Sequence, residues 1–82
     1  MTALKIVELE GRSGPEDADI GPDGLVHVAT HDGEILRIEE NGAITVFAQT
    51  EGRPLGIEFD DSGTLYVADA YRGLLSVDRG GK

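Results

Sequence analysis

The sequence contains no cysteine, so neither a disulfide nor a thiolate metal site can brace it, and the absence fits a reducing compartment. Basic residues are scarce. Lys and Arg number 7 against 16 Asp and Glu, a net charge of −9 that opposes nucleic acid and anionic membrane, since both need clustered cations to displace counterions. No run approaches the roughly 18 apolar residues of a membrane span, and residues 1–6 lack the charged and long apolar regions of a signal peptide. A soluble, cytoplasmic protein is therefore expected. No window holds a 3.6-residue apolar period against the Gly and Pro punctuation, so no helix is predicted. At 82 residues the chain makes one small domain, and a domain this size buries only about 60–65% of its unfolded surface, leaving an unassisted core marginal.

What the sequence does have is a repeat. A shift of 39 positions brings Pro54 onto Pro15, Gly63 onto Gly24, Val67 onto Val28, Ala68 onto Ala29 and Leu75 onto Leu36 without a gap. Conservative pairs fill the spaces between them: Asp19 with Glu58, Ile20 with Phe59, His27 with Tyr66, Ile35 with Leu74, Ile38 with Val77. Self-similarity at a fixed period is the mark of a repeat architecture.

Taken in order, residues 4–9 form a short β-prone run with no hairpin partner. After the breaker-rich Gly11-Arg12-Ser13-Gly14-Pro15, a strand starts near Asp17 and runs through Ile20. The turn Gly21-Pro22-Asp23-Gly24 leads into residues 25–30, apolar on both faces as when sheets pack on either side. A third strand is expected over residues 34–38, and Asn41-Gly42, a strong hairpin signal, leads into a fourth over 43–48. The second unit repeats this with strands near 56–59, 64–68 and 73–77. It then ends at turn-like Asp78-Arg79-Gly80-Gly81, with no fourth strand.

Four-stranded units of about 40 residues joined by Gly-rich turns are β-propeller blades, and such rings close with roughly 4–8 of them. The fold expected is all-β: residues 4–9 a locking strand, 15–50 the first blade, 54–82 an incomplete second blade. Two blades cannot cover each other's outer faces, and at least about three repeats are normally needed. A head-to-tail ring supplies the remedy, with the N-terminal strand of each copy completing the second blade of a neighbouring copy. Three copies give six blades, and four copies giving eight is the alternative.

Two stretches resemble the strictosidine synthase-like group, relatives of the paraoxonases and gluconolactonases, all six-bladed propellers. One is Gly14-Pro15-Glu16-Asp17 with Gly24-Leu25-Val26 and Asp32-Gly33-Glu34-Ile35-Leu36-Arg37. The other is Arg53-Pro54-Leu55-Gly56-Ile57-Glu58-Phe59 with Leu65-Tyr66-Val67-Ala68-Asp69-Ala70-Tyr71-Arg72-Gly73-Leu74-Leu75. In the calcium-dependent relatives the Glu of a Gly-Ser/Pro-Glu-Asp motif ligates a catalytic calcium in the central channel, and the following Asp serves a structural calcium. The resemblance thus implies calcium at Glu16 and Asp17. The remaining ligands come from later blades, and strictosidine synthases themselves work without metal.

Calcium takes about 6–8 oxygen ligands, so a lone Glu16 makes no site. In a threefold ring three copies of Glu16 would converge on the axis, alternating with Leu55, and such carboxylates bind a cation, take up protons or spread into water. His31 opens a loop and is the candidate acid or base. Asp69 ends a strand before a turn, which favours a side-chain oxygen holding Ala70-Tyr71-Arg72 over substrate contact. His27, Tyr66 and Tyr71 read as packing residues. No Ser-His-Asp spacing, phosphate loop or metal-binding His pair appears.

Three functions are consistent with these features: a non-catalytic fragment that assembles into a ring, most simply a homotrimer; a calcium-dependent hydrolase of lactones or esters; and a module binding a small molecule in the central channel or on ring-top loops at 31–33 and 70–73.

Overall fold

A computed structural model describes residues 7, 9–12 and 14–81. Among them are seven strands and no helix: β1 (Pro15–Ile20), β2 (Val26–Thr30), β3 (Glu34–Ile38), β4 (Ile44–Gln49), β5 (Pro54–Phe59), β6 (Leu65–Asp69) and β7 (Gly73–Val77). β1-β2-β3-β4 form one antiparallel sheet and β5-β6-β7 a second, each in chain order, as consecutive blades of a propeller do. The repeat extends to fine detail. A bulge between Pro15 and Asp17 recurs between Pro54 and Gly56. The strand expected near Asp17 therefore starts at Pro15, because the bulge lets the ladder continue past the proline.

The turns form where the sequence places them. Asp60 Oδ1 accepts the Ser62 and Thr64 backbone N–H groups at 2.9 and 3.0 Å, and Asn41 Oδ1 accepts that of Ala43 at 2.9 Å.

The core is the seam between the sheets. Ala29 and Ile35 of the first sheet meet Ile57, Leu65, Val67 and Val77 of the second, with Phe47, Phe59 and Leu75 around them. Each fully buried Leu, Ile or Val contributes about 1.5–3 kcal/mol. Alternation along each strand gives every sheet two faces. The first sheet turns Asp17, Asp19, His27, Ala29, Ile35 and Arg37 toward the second, which answers with Ile57, Phe59, Leu65, Val67, Leu75 and Val77.

The outer face of the second sheet is open, and that of the first is open at Ala18, Ile20 and Val26 while Val28 and Leu36 on it are buried. Under the 39-residue shift, the outer face of the first sheet (Ala18, Ile20, Val26, Val28, Leu36, Ile38) is the counterpart of the buried face of the second. Ile20 is 55% exposed there. The outer face of the second sheet (Gly56, Glu58, Tyr66, Ala68, Leu74, Ser76) is the counterpart of the buried face of the first, and Leu74 is 76% exposed. This corrects the packing role expected for Tyr66 and Tyr71. Both are exposed, Tyr66 because it sits on the uncovered face and Tyr71 because it tips a turn.

The strand expected over residues 4–9 lies outside the described residues apart from Val7 and Leu9. These two belong to no strand, and they line an apolar cleft of about 270 Å³ with Ala18, Val26, Val28 and Ile38 on the outer face of their own first sheet.

Candidate functional site

Glu16 stands at the start of β1, His31 just after β2, and Arg53 just before β5, so one end of the two sheets gathers all three. Glu16 Oε1 lies 3.7 Å from an Arg53 terminal nitrogen and 3.6 Å from His31 Nδ1. The Arg53 contact is an ion pair and the His31 contact is one only when the imidazole is protonated; neither is a hydrogen bond, and pairs of partly exposed side chains contribute about 0–1 kcal/mol. The Arg53 Nε is buried with no hydrogen-bond partner among the described residues.

Arg53 is placed by Asp69. The buried Asp69 carboxylate, at the end of β6, accepts three backbone N–H groups on Oδ1: Arg53 at 3.0 Å, Tyr71 at 2.9 Å and Arg72 at 3.0 Å. Burial pushes its pKa up, but these three donors, with the Thr50 hydroxyl beside them, outweigh burial and hold the group below its ordinary value. A second tie completes the lock, from Arg72 to the Thr50 carbonyl at 2.7 Å. Asp69 thus holds the turn as its position predicts, and it also fixes the chain segment that carries Arg53 to Glu16.

Asp17 does something the sequence alone does not disclose. Its Oδ2 accepts the Ile57 backbone N–H at 2.9 Å, and Asp19 Oδ2 accepts that of Phe59 at 2.8 Å. Two carboxylates of β1 thereby cap the free edge of β5 and pin the register of the two sheets. Asp19 was legible as a pattern: Asp17 and Asp19 alternate on one face, and the shift pairs Asp19 with acidic Glu58. Arg53 had no such signal, because its reach to Glu16 depends on how the two sheets meet.

His27 is packed and hydrogen-bonded, as expected. It is 1% exposed, donates from Nδ1 to the Leu25 carbonyl at 3.0 Å, and stands nearly perpendicular to the rings of Phe47 and Phe59. Leu55, next to Pro54 on β5, is 47% exposed.

Chemically, the Glu16 end is an ion-pair cluster. No group of three or more His, Cys, Asp or Glu able to hold a metal ion comes together among the described residues. Glu16 faces a guanidinium and Asp17 is engaged by a backbone N–H, so the two do not by themselves fit a calcium ion. No described helix is long and apolar enough to cross a membrane.

Comparison with known proteins places this architecture. The family profile described as "Strictosidine synthase-like, N-terminal" matches residues 1–38. Strictosidine synthase-like protein 10 of Arabidopsis thaliana is 39% identical over 100 residues, covering 96% of this chain and 27% of its own length. Its relative, strictosidine synthase-like protein 6, is 32% identical over 88 residues, covering 100% of this chain and 24% of its own. The adipocyte plasma membrane-associated protein of Salmo salar is 39% identical over 83 residues, covering 77% of this chain and 20% of its own. The chain thus spans about a fifth to a quarter of the length of the curated relatives it matches. With the two-sheet repeat and these matches together, the chain belongs to the strictosidine synthase-like family.

Proposed function

We propose that this chain acts as a propeller building unit that closes into a ring with further copies of itself, three copies supplying six blades, and that it has no catalysis of its own. The observation that carries this reading is the correspondence of the outer faces. The outer face of the first sheet repeats, position for position, the face that the second sheet buries against the first. A second copy presenting Ile20 and Val26, the exposed large apolar residues of that face, to Tyr66, Ala68 and Leu74 would reuse the packing already present inside the chain. Such contacts are heterologous, and they close into a ring where the rotation per blade allows.

The N-terminal segment has two parts to play. On its own sheet, Val7 and Leu9 shield apolar residues that a partner would need. Displaced by that partner, the segment becomes available to pair with β7, whose outer edge carries no described strand.

Light scattering and native mass spectrometry of the full chain test the proposal. A particle of three chain masses is expected, dissociating in Leu74→Glu, which charges the outer face without touching the core. A compact single-copy particle at all concentrations, or a ring indifferent to Leu74→Glu, overturns it. The second reading, a calcium-dependent lactone or ester hydrolase, draws on Glu16 alone, since Asp17 is engaged structurally. Calcium-dependent turnover of lactones or aryl esters that disappears in Glu16→Ala would replace the first reading with this one.

A further inference from the structure

At the end of the strands away from Glu16, the two sheets part to leave a cleft of about 280 Å³. His27 forms its base, Phe47 and Phe59 its walls, and Arg37 and Arg79 its rim. Three features single it out.

The first is His27 itself. A carbonyl only accepts, so the 3.0 Å contact with the Leu25 oxygen puts the hydrogen on Nδ1 and leaves the lone pair of the neutral ring on Nε2. No described residue hydrogen-bonds Nε2, and it faces the cleft instead of being sealed in the core. An acceptor facing a cleft can take a hydrogen bond from a donor that enters there.

The second is Arg79. Its Nε donates to the Ser62 carbonyl at 3.0 Å, which fixes the side chain over the cleft, while its terminal nitrogens meet no carboxylate among the described residues. Arg37, by contrast, is engaged by Glu39 at 2.8 Å and Asp23 at 3.7 Å. Gly63 makes the placement of Arg79 feasible: its φ is +90°, and a Cβ there would meet Arg79 Nε and Pro22.

The third is the pair of phenyl rings, which offer an apolar lining between that acceptor and the free cation.

We infer that this cleft binds a small hydroxy-carboxylic acid with a planar or apolar body. Its hydroxyl donates to His27 Nε2, its body lies between Phe47 and Phe59, and its carboxylate meets the Arg79 guanidinium. The volume lies at the lower edge of ligand sites and suits a single-ring compound. The site lies within one chain, between its two sheets, so it stands or falls independently of ring formation.

The test is NMR titration of the full chain with 4-hydroxybenzoate, benzoate and phenol, following the His27 and Phe47 ring signals. Binding of 4-hydroxybenzoate about tenfold tighter than of either truncated compound is expected. The exposed substitution Arg79→Gln should remove about tenfold for 4-hydroxybenzoate and nothing for phenol. Equal affinity for all three compounds, no shift at millimolar ligand, or full affinity in a folded Arg79→Gln variant would each overturn the assignment.

Discussion

Asp17 Oδ2 accepts the backbone N–H of Ile57 at 2.9 Å, joining the first strand of one sheet to the first strand of the next across forty positions of sequence. A carboxylate in this place does what a further strand would do, and it does so at one register only. Asp17→Ala leaves the Ile57 N–H without a partner in a half-buried seam and should cost about 1.5–3 kcal/mol, whereas Asp17→Asn, which keeps an acceptor oxygen, should cost about half that. Urea unfolding checks the order. Because Asp19 makes the same bond to Phe59 at 2.8 Å, Asp17→Ala combined with Asp19→Ala should separate the sheets while each stays locally paired, seen as a less cooperative transition.

Acid should loosen the chain through carboxyls that the fold holds in their charged form. Asp69 is kept below its ordinary value against the opposing effect of burial by the Arg53, Tyr71 and Arg72 N–H groups. Asp60 is kept low chiefly by the Ser62 hydroxyl and the Thr64 N–H, and Glu39 by Arg37 and the Thr45 hydroxyl. Folded values below unfolded ones mean that the unfolded chain binds more protons in acid. The stability these groups lend is complete above the ordinary carboxyl range, near pH 4, and is lost as pH falls through the lower folded values. The denaturation midpoint should therefore hold steady from about pH 7 to 5 and drop below about pH 4. Asp69→Asn should lower stability at neutral pH by about 1–2 kcal/mol and flatten the acid limb. An unchanged limb in that variant would assign the acid sensitivity to other groups.

The repeat made most of the fold legible. Alternating apolar strands and turn residues at matching offsets located all seven strands to within about two residues, because both signals are local. The bonds of Asp69 to the Tyr71 and Arg72 N–H groups followed from its place at a strand end, whereas its bond to Arg53 across the chain did not. The partners of Glu16 and Asp17 were not legible, since a side chain that crosses from one sheet to another is fixed by packing geometry and leaves no periodic trace. The exposure of Tyr66 was hidden for the converse reason: its pattern is that of a buried position, and only the chain's own second sheet lacks the neighbour that would bury it.

Gly21 and His27 form a close pair. A Cβ on Gly21 would sit 2.6 Å from His27 Cε1 and 3.0 Å from Nδ1, and the ring is held by the Leu25 carbonyl and two phenyl rings, so it cannot swing aside. Gly21→Ala should destabilise by about 1–3 kcal/mol through overpacking, in addition to the smaller backbone effect of adding a side chain. Combining it with His27→Ser, which clears the space, should give a total loss smaller than the sum of the two single losses. Additivity in thermal melts would show that the strain at Gly21 lies in the backbone and not against the ring.

Leu65 and Leu74 lie on opposite faces of the second sheet, and truncating each reads out what covers that face. Leu65 is fully enclosed in the seam, so Leu65→Ala should cost about 2–5 kcal/mol at any protein concentration. Leu74 is 76% exposed in the single chain, so Leu74→Ala should stay within about 0.5 kcal/mol when measured dilute. At concentrations where copies associate, the same substitution should lower the melting temperature, because it removes apolar area buried only in the assembly, and the loss should grow with concentration. A Leu74→Ala effect equally small at every concentration would mean that no second sheet lies against that face.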